Sequence, residues 1–156
     1  MKKIITLLFL TLPLSMIASS QTLQLLLQLR NKKPEQIENI LSGTRWSVWQ
    51  AWGPSDSTVG SITYALDKRS DESPAKALLT IMFMKGNVRN RVQCNVFRKS
   101  QSDLIVSHIK AGGYKYTNTK FEDNLLIKTY QKGTEGIETR IDTKEITVYE
   151  FHIYDL

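Results

Sequence analysis

The heptapeptides IENILSG, residues 37–43, and VSHIKAG, residues 106–112, lie 69 positions apart with the same apolar spacing and the same closing glycine. An aromatic residue follows each within three positions, Trp46 in one case and Tyr114 in the other. Internal repetition of this kind limits the folds open to a chain more than composition does, because each copy predicts the same supersecondary unit. Ile37, Ile40 and Leu41 form one face of a helix that Pro34 opens and Gly43 stops. The matched segment is therefore read as a helix over 102–111. Ser100 with Asp103, or Ser102 alone, supplies its cap, and Gly112 closes it in a left-handed conformation.

Four strands are predicted after each helix. RWSVWQAW, VGSITYALDK, ALLTIMFM and RVQCNVF follow the first, and YKYTNTKF, NLLIKTYQK, IETRID and ITVYEFHIY the second. Most alternate polar and apolar residues, as half-buried strands do. ALLTIMFM is apolar at both parities and marks a strand covered on two sides or one awaiting a partner. The polar segments RSDESP, KGNVRN, EDN, GTEG and TKE read as turns or loops. The expected fold is α+β, with two helix-plus-four-strand repeats, about 34–99 and 100–156, forming an antiparallel sheet with helices on one face. The competing architecture is a lipocalin-like β-barrel, with GTRW as its opening signal and a strand in place of the 102–111 helix.

Residues 1–20 have Lys2 and Lys3, an interrupted apolar run and small residues at Ala18 and Ser20, the pattern of a signal peptide cleaved before Gln21. Residues 21–156 then form a single domain, secreted or periplasmic, with 19 basic and 15 acidic groups and a net charge of +4. So modest a charge does not select a class of partner. Cys94 is the only cysteine, which excludes an intrachain disulfide.

The segments TLQLLLQLRNKKPEQIENIL, HIKAGGYKYTNTKFEDNLLIKTYQ and TVYEFHIY resemble those of small uncharacterised secreted proteins of Bacteroidota type. That resemblance implies no activity and no site residue. The element order is similar to the tandem α/β repeats of β-lactamase-inhibitor proteins, whose sheet binds another protein, a likeness of fold alone.

Catalytic chemistry finds little support. His108 sits on a helix beside Ile109, and His152 alternates with Glu150 and Tyr154 on the outward side of the last strand; neither accompanies a nucleophile motif. Cys94, between Val92 and Val96 on an apolar strand face, reads as a buried structural thiol. No spacing of His and Cys suits a metal, no glycine-rich loop suits a phosphate, and no cofactor is expected. Asp71-Glu72 and Glu122-Asp123 are turn carboxylates. A run without acidic residues from Ser73 to Gln101 carries Lys76, Lys85, Arg89, Arg91, Arg98 and Lys99, either as an anion-binding hairpin or as gatekeepers beside ALLTIMFM.

The expected function is therefore that of a non-enzymatic binding protein, with an apolar-ligand carrier and an envelope hydrolase as alternatives. Its partner is another protein or an anionic envelope component, with nucleic acid disfavoured and no membrane embedding after processing. Because helices cover only one sheet face, bulky residues at the other parity should form the contact surface. Trp49, Tyr130 and Tyr154 are its predicted anchors, with Arg89 and Arg91 at the rim.

Overall fold

The computed structural model describes residues 23–68, 70, 73–86, 88–144 and 147–156. The predicted signal peptide and the Asp71-Glu72 pair lie outside the described residues. Helix α1 spans residues 23–29. It buries Leu23, Leu26 and Leu29, and its last carbonyls are held from another part of the chain. Asn90 Nδ2 donates to the carbonyls of Leu29 at 3.2 Å and Lys32 at 2.8 Å, satisfying acceptors that a helix C-terminus leaves open. Helix α2, Pro34–Leu41, starts where proline has no helical N–H to lose. The Gln36 carbonyl Oε1 accepts from the Lys33 N–H at 3.0 Å. The helix buries Ile37 and Leu41 and ends with Gly43 at φ +75°.

Four strands follow, β1 (Trp46–Trp52), β2 (Thr58–Leu66), β3 (Ala77–Met84) and β4 (Arg91–Val96). Helix α3, Lys99–Ala111, leads into β5 (Lys115–Glu122), β6 (Leu125–Lys132), β7 (Glu135–Asp142) and β8 (Tyr149–Asp155). All eight strands form one antiparallel sheet in the order β1-β2-β3-β4-β8-β7-β6-β5. Each half is a meander, and the β4–β8 pair joins the two at the centre. This leaves β1 and β5, the first strand of each meander, as the outer edges.

Register explains the single core. One transverse row runs Ile62, Ile81, Val92, Ile153, Ile137 and Tyr130 from β2 to β6. The next includes Tyr64, Leu79, Cys94 and Phe151. Leu26, Leu29, Ile37, Leu41, Ile105 and Ile109 from the three helices belong to the same buried cluster. Helices and sheet therefore share one layer of packing, and the other parity of every strand forms a second face.

These observations correct the expected fold class. Strands take 48% of the described residues and helices 22%, in three short elements, so the molecule is mostly one antiparallel sheet and not an α+β domain of two equal repeats. The halves are unequal because α1 and α2 both precede the first meander, whereas α3 alone precedes the second. The lipocalin-like barrel is also overturned. The sheet is open, since the central β4–β8 pairing places the two edges farthest apart.

Local corrections follow from geometry. Helix α3 begins after Arg98 in an extended conformation, with no side-chain cap from Ser100, Ser102 or Asp103. Gly112 keeps right-handed torsions, and Gly113, at φ +83°, makes the left-handed turn. The segment read as the GTEG turn is only half turn, because Glu135 and Gly136 already belong to β7.

Candidate functional site

On the second face, the cross-strand partners Thr63, Thr80, Gln93, His152, Glu138, Thr129 and Asn118 form a continuous row from β2 to β5. Every member is polar. Beside it lies a mixed row of Ala65, Leu78, Asn95, Glu150, Arg140, Ile127 and Lys120. The two rows arise from alternation. Residues 138, 140 and 142 share one parity of β7, and 150, 152 and 154 one parity of β8, opposite the residues that build the core.

Side chains in these rows hold one another in place. Thr63 Oγ1 and Thr80 Oγ1 are 2.9 Å apart, and Gln93 Nε2 donates to Asn95 Oδ1 at 3.0 Å. Arg140 donates to Glu138 Oε2 through Nε at 3.1 Å and Nη2 at 2.6 Å, while Tyr154 Oη donates to Oε1 of the same carboxylate at 3.2 Å. His152 Nε2 lies 2.8 Å from Glu150 Oε2. A platform whose polar ends are already positioned loses less freedom when a partner settles on it.

The electrostatics follow the contacts. Partial burial of Glu138 opposes its charge, but hydrogen bonds and attraction from Arg140, with help from Tyr154 and Lys120, hold the carboxyl below its ordinary value. Glu150 is held low chiefly by its hydrogen bond from His152, against some burial. Burial, then the Glu138 carboxylate, raises the Tyr154 phenol. At one end of the face, Leu78, Asn95, Phe97, Leu125, Arg140 and Glu150 help line an open depression of about 390 Å³.

The predicted site residues do not converge on this face. Tyr154 is on it. Tyr130 is not, being 4% exposed within the core beneath the helices and edge-on to Tyr116 at 6.0 Å between ring centroids. It cannot anchor a partner from there. Trp49 is the extra residue of a bulge between Val48 and Gln50 on the outer strand β1, with Lys68 Nζ 5.2 Å from its ring centroid. Arg91 is exposed at the start of β4. Arg89 is committed to an internal network, described next, and is not a free rim charge.

That network closes one end of the sheet. The Arg30 side chain is fully buried and reaches Glu135 Oε1 at 2.8 Å and Asp155 Oδ1 at 2.7 Å. Arg89 bonds both carboxylates as well, with Nη1 2.9 Å from Glu135 Oε1 and Nε 3.1 Å from Asp155 Oδ2. Tyr114 Oη donates to Glu135 Oε2 at 2.7 Å. Two cations meet two carboxylates, so the cluster is balanced and acts as a clasp between α1, β7 and β8.

The basic stretch is partly consumed in the same way. Lys76 pairs with Asp67 at 2.7 Å and Lys99 with Asp103 at 2.6 Å, so along with Arg89 at least three of its six cations are matched among the described residues. The geometry also bears on chemistry. The in-register neighbours of His152 are Gln93 and Glu138, so no Ser, Thr or Cys lies directly across from it. Cys94 is fully buried, and its thiol is pushed up to about 12 by desolvation. Among the described residues no three His, Cys, Asp or Glu side chains group to hold a metal ion, and no helix is long and apolar enough to cross a membrane.

Sequence reasoning looked for large apolar residues on the second face and so passed over Gln93, Asn95, Glu138 and Arg140. The signal was present as parity in IETRID and RVQCNVF, but it becomes a site only when β8 is inserted between β4 and β7. No family model, curated protein or solved structure matches the chain.

Proposed function

We propose that the chain is a non-enzymatic binding protein, exported to a periplasm or beyond the cell, whose second sheet face receives another protein. The observation that carries this reading is the polar row from Thr63 to Asn118, supported from within by its own hydrogen bonds. Seven strands at about 4.8 Å spacing make the row about 29 Å wide. Thr63, Thr129 and Glu138 are buried within the face, so its accessible part is the half-buried Thr80, Gln93 and His152 with the exposed Asn118, a small patch beside the ~800 Å² that each side contributes to a standard protein interface. A polar, hydrogen-bonding face with an aromatic at its margin suits a partner that also exists free in water.

The test is affinity capture from envelope and culture fractions, comparing the native protein with Gln93→Arg. Gln93 is half-buried at the centre of the face, and an arginine there projects into any docked surface. The reading requires that a protein retained by the native chain be lost with Gln93→Arg while the melting temperature is kept. Retention by both, or capture of nothing from either fraction, counts against it.

A further inference from the structure

We infer that strand β1 is a self-association edge, through which two copies of this chain pair antiparallel about a two-fold axis and continue the sheet across the dimer. The strand borders the face proposed above, with Gln50 across from Thr63, but self-pairing uses its open backbone edge and does not rest on that reading. WSVWQAW has no charged residue, although an outer strand is where a soluble protein normally places lysine or glutamate to prevent edge pairing. The other edge follows that rule, with Lys115, Lys120 and Glu122 among its exposed residues. On β1, Val48 is 61%, Trp49 43% and Trp52 62% exposed.

A second copy is the occupant that this charge pattern selects. Across a two-fold axis at Trp49 the strand meets its own sequence reversed, so no charges oppose, Trp46 faces Trp52 and Trp49 faces its own copy, while Val48 faces Gln50 and Ser47 faces Ala51. The same operation centred on β5 sets Lys115 opposite Glu122 and Lys120 opposite Thr117, so that edge offers charged groups where β1 offers an uncharged run. Lys68 Nζ lies 5.2 Å from the Trp49 ring centroid, and the indole remains 43% exposed. The area sets the strength. Two half-exposed tryptophans and a valine supply on the order of 300 Å² per copy, below the ~800 Å² of a standard interface, so the dimer is weak and dependent on concentration. The bulge at Trp49 acts in the same direction by twisting the strand and shortening the pairing.

Sedimentation velocity from low to high micromolar concentration should show the mass rising from that of one chain toward two. Gln50→Lys, at an exposed β1 position, should weaken association by roughly tenfold, whereas Thr119→Lys on β5 should leave it unchanged. Hydrogen exchange on the unmodified protein provides an arm that no folding defect can confuse. Amides of residues 46–52 should gain protection as concentration rises, and those of 115–122 should not. A chain that stays monomeric throughout, or a dimer indifferent to Gln50→Lys with no added protection in β1, overturns the inference.

Discussion

Arg30 and Asp155 are 125 residues apart in the chain and 2.7 Å apart in the fold. The contact fastens the end of α1 to the last residue of β8, and Glu135 joins it to the β6–β7 turn. A guanidinium with no solvent exposure is stable only because two carboxylates and the Asn90 carbonyl accept its donors.

Removing that group should therefore cost far more than removing its neighbour. Arg30→Ala leaves two partly buried carboxylates facing one remaining cation and should destabilise the fold by about 3–5 kcal/mol. Arg89, one-third exposed, should cost about 1 kcal/mol or less when changed to Ala. Urea titration of both variants checks the order, and equal losses would show that the clasp is not organised around Arg30.

Stability should fall in acid through three carboxyls. In Asp155, burial works against ionisation, but hydrogen bonds from Arg89 and Arg30 and their charge outweigh it and hold the group below its ordinary value. Glu138 and Glu150 are also held low. A depressed folded-state value means that the stabilisation is fully present above the unfolded value, about 4, and is lost as pH falls through the folded one. Urea midpoints should therefore be flat from neutrality to about pH 5 and decline below about pH 4. Arg30→Ala should flatten that decline only in part, since Arg89 still bonds Asp155 and holds it low.

Cys94 should be inert in the native state. Desolvation between Leu79 and Phe151 leaves almost no thiolate at neutral pH, and the side chain is fully buried. A disulfide reagent should titrate less than a tenth of the thiol before urea is added and one thiol per chain after. Rapid labelling without denaturant would show that the sheet opens locally at β3–β4.

The limits of sequence reading can be traced in the same residues. Strand positions were legible because alternation reports burial directly, as in Leu79, Ile81 and Phe83. Cys94 was legible for the same reason. Which faces would be covered was not, because that depends on β8 pairing with β4, a contact between residues more than 50 positions apart. Tyr130 and Tyr154 looked alike in sequence, yet β6 turns one ring under the helices and β8 turns the other toward Glu138. The clasp was invisible because Arg30, Arg89, Glu135 and Asp155 each lie at an element boundary, where a charged residue is ordinary.

The helix stop separates two adjacent glycines that sequence treats as equivalent. Gly113 has φ +83°, so Gly113→Val should cost about 1–2 kcal/mol through the left-handed penalty. Gly112 has right-handed torsions, and a Cβ there would lie 3.1 Å from the His108 carbonyl oxygen and 3.6 Å from the Tyr114 ring. Gly112→Ala should cost less, about 1 kcal/mol or under, as a crowded contact on an allowed backbone. Thermal melts of both variants decide it, and a larger loss for Gly112→Ala would place the strained turn at the wrong residue.

Gly136 gives the sharpest link between a backbone position and the proposed binding face. It sits in β7 directly across from Tyr154, and a Cβ there would fall 2.8 Å from Cζ and 2.9 Å from Cε2 of that ring, with Leu156 Cδ2 at 3.1 Å. The glycine is thus needed for space and not for torsion, since the tyrosine ring lies flat over it on the way to Glu138. Gly136→Ala should push the ring outward, break the Tyr154–Glu138 hydrogen bond and cost about 1–2 kcal/mol. Tyr154→Phe removes the same hydrogen bond without moving the ring and should cost only about 1 kcal/mol. If the face is the binding surface, Gly136→Ala should weaken partner capture more than Tyr154→Phe, because both lose the bond to Glu138 but only the first displaces a whole aromatic ring. Equal binding by the two variants would mean that the ring's position does not matter to the partner, and the contact would then have to lie toward the Asn95 and Phe97 end of the sheet.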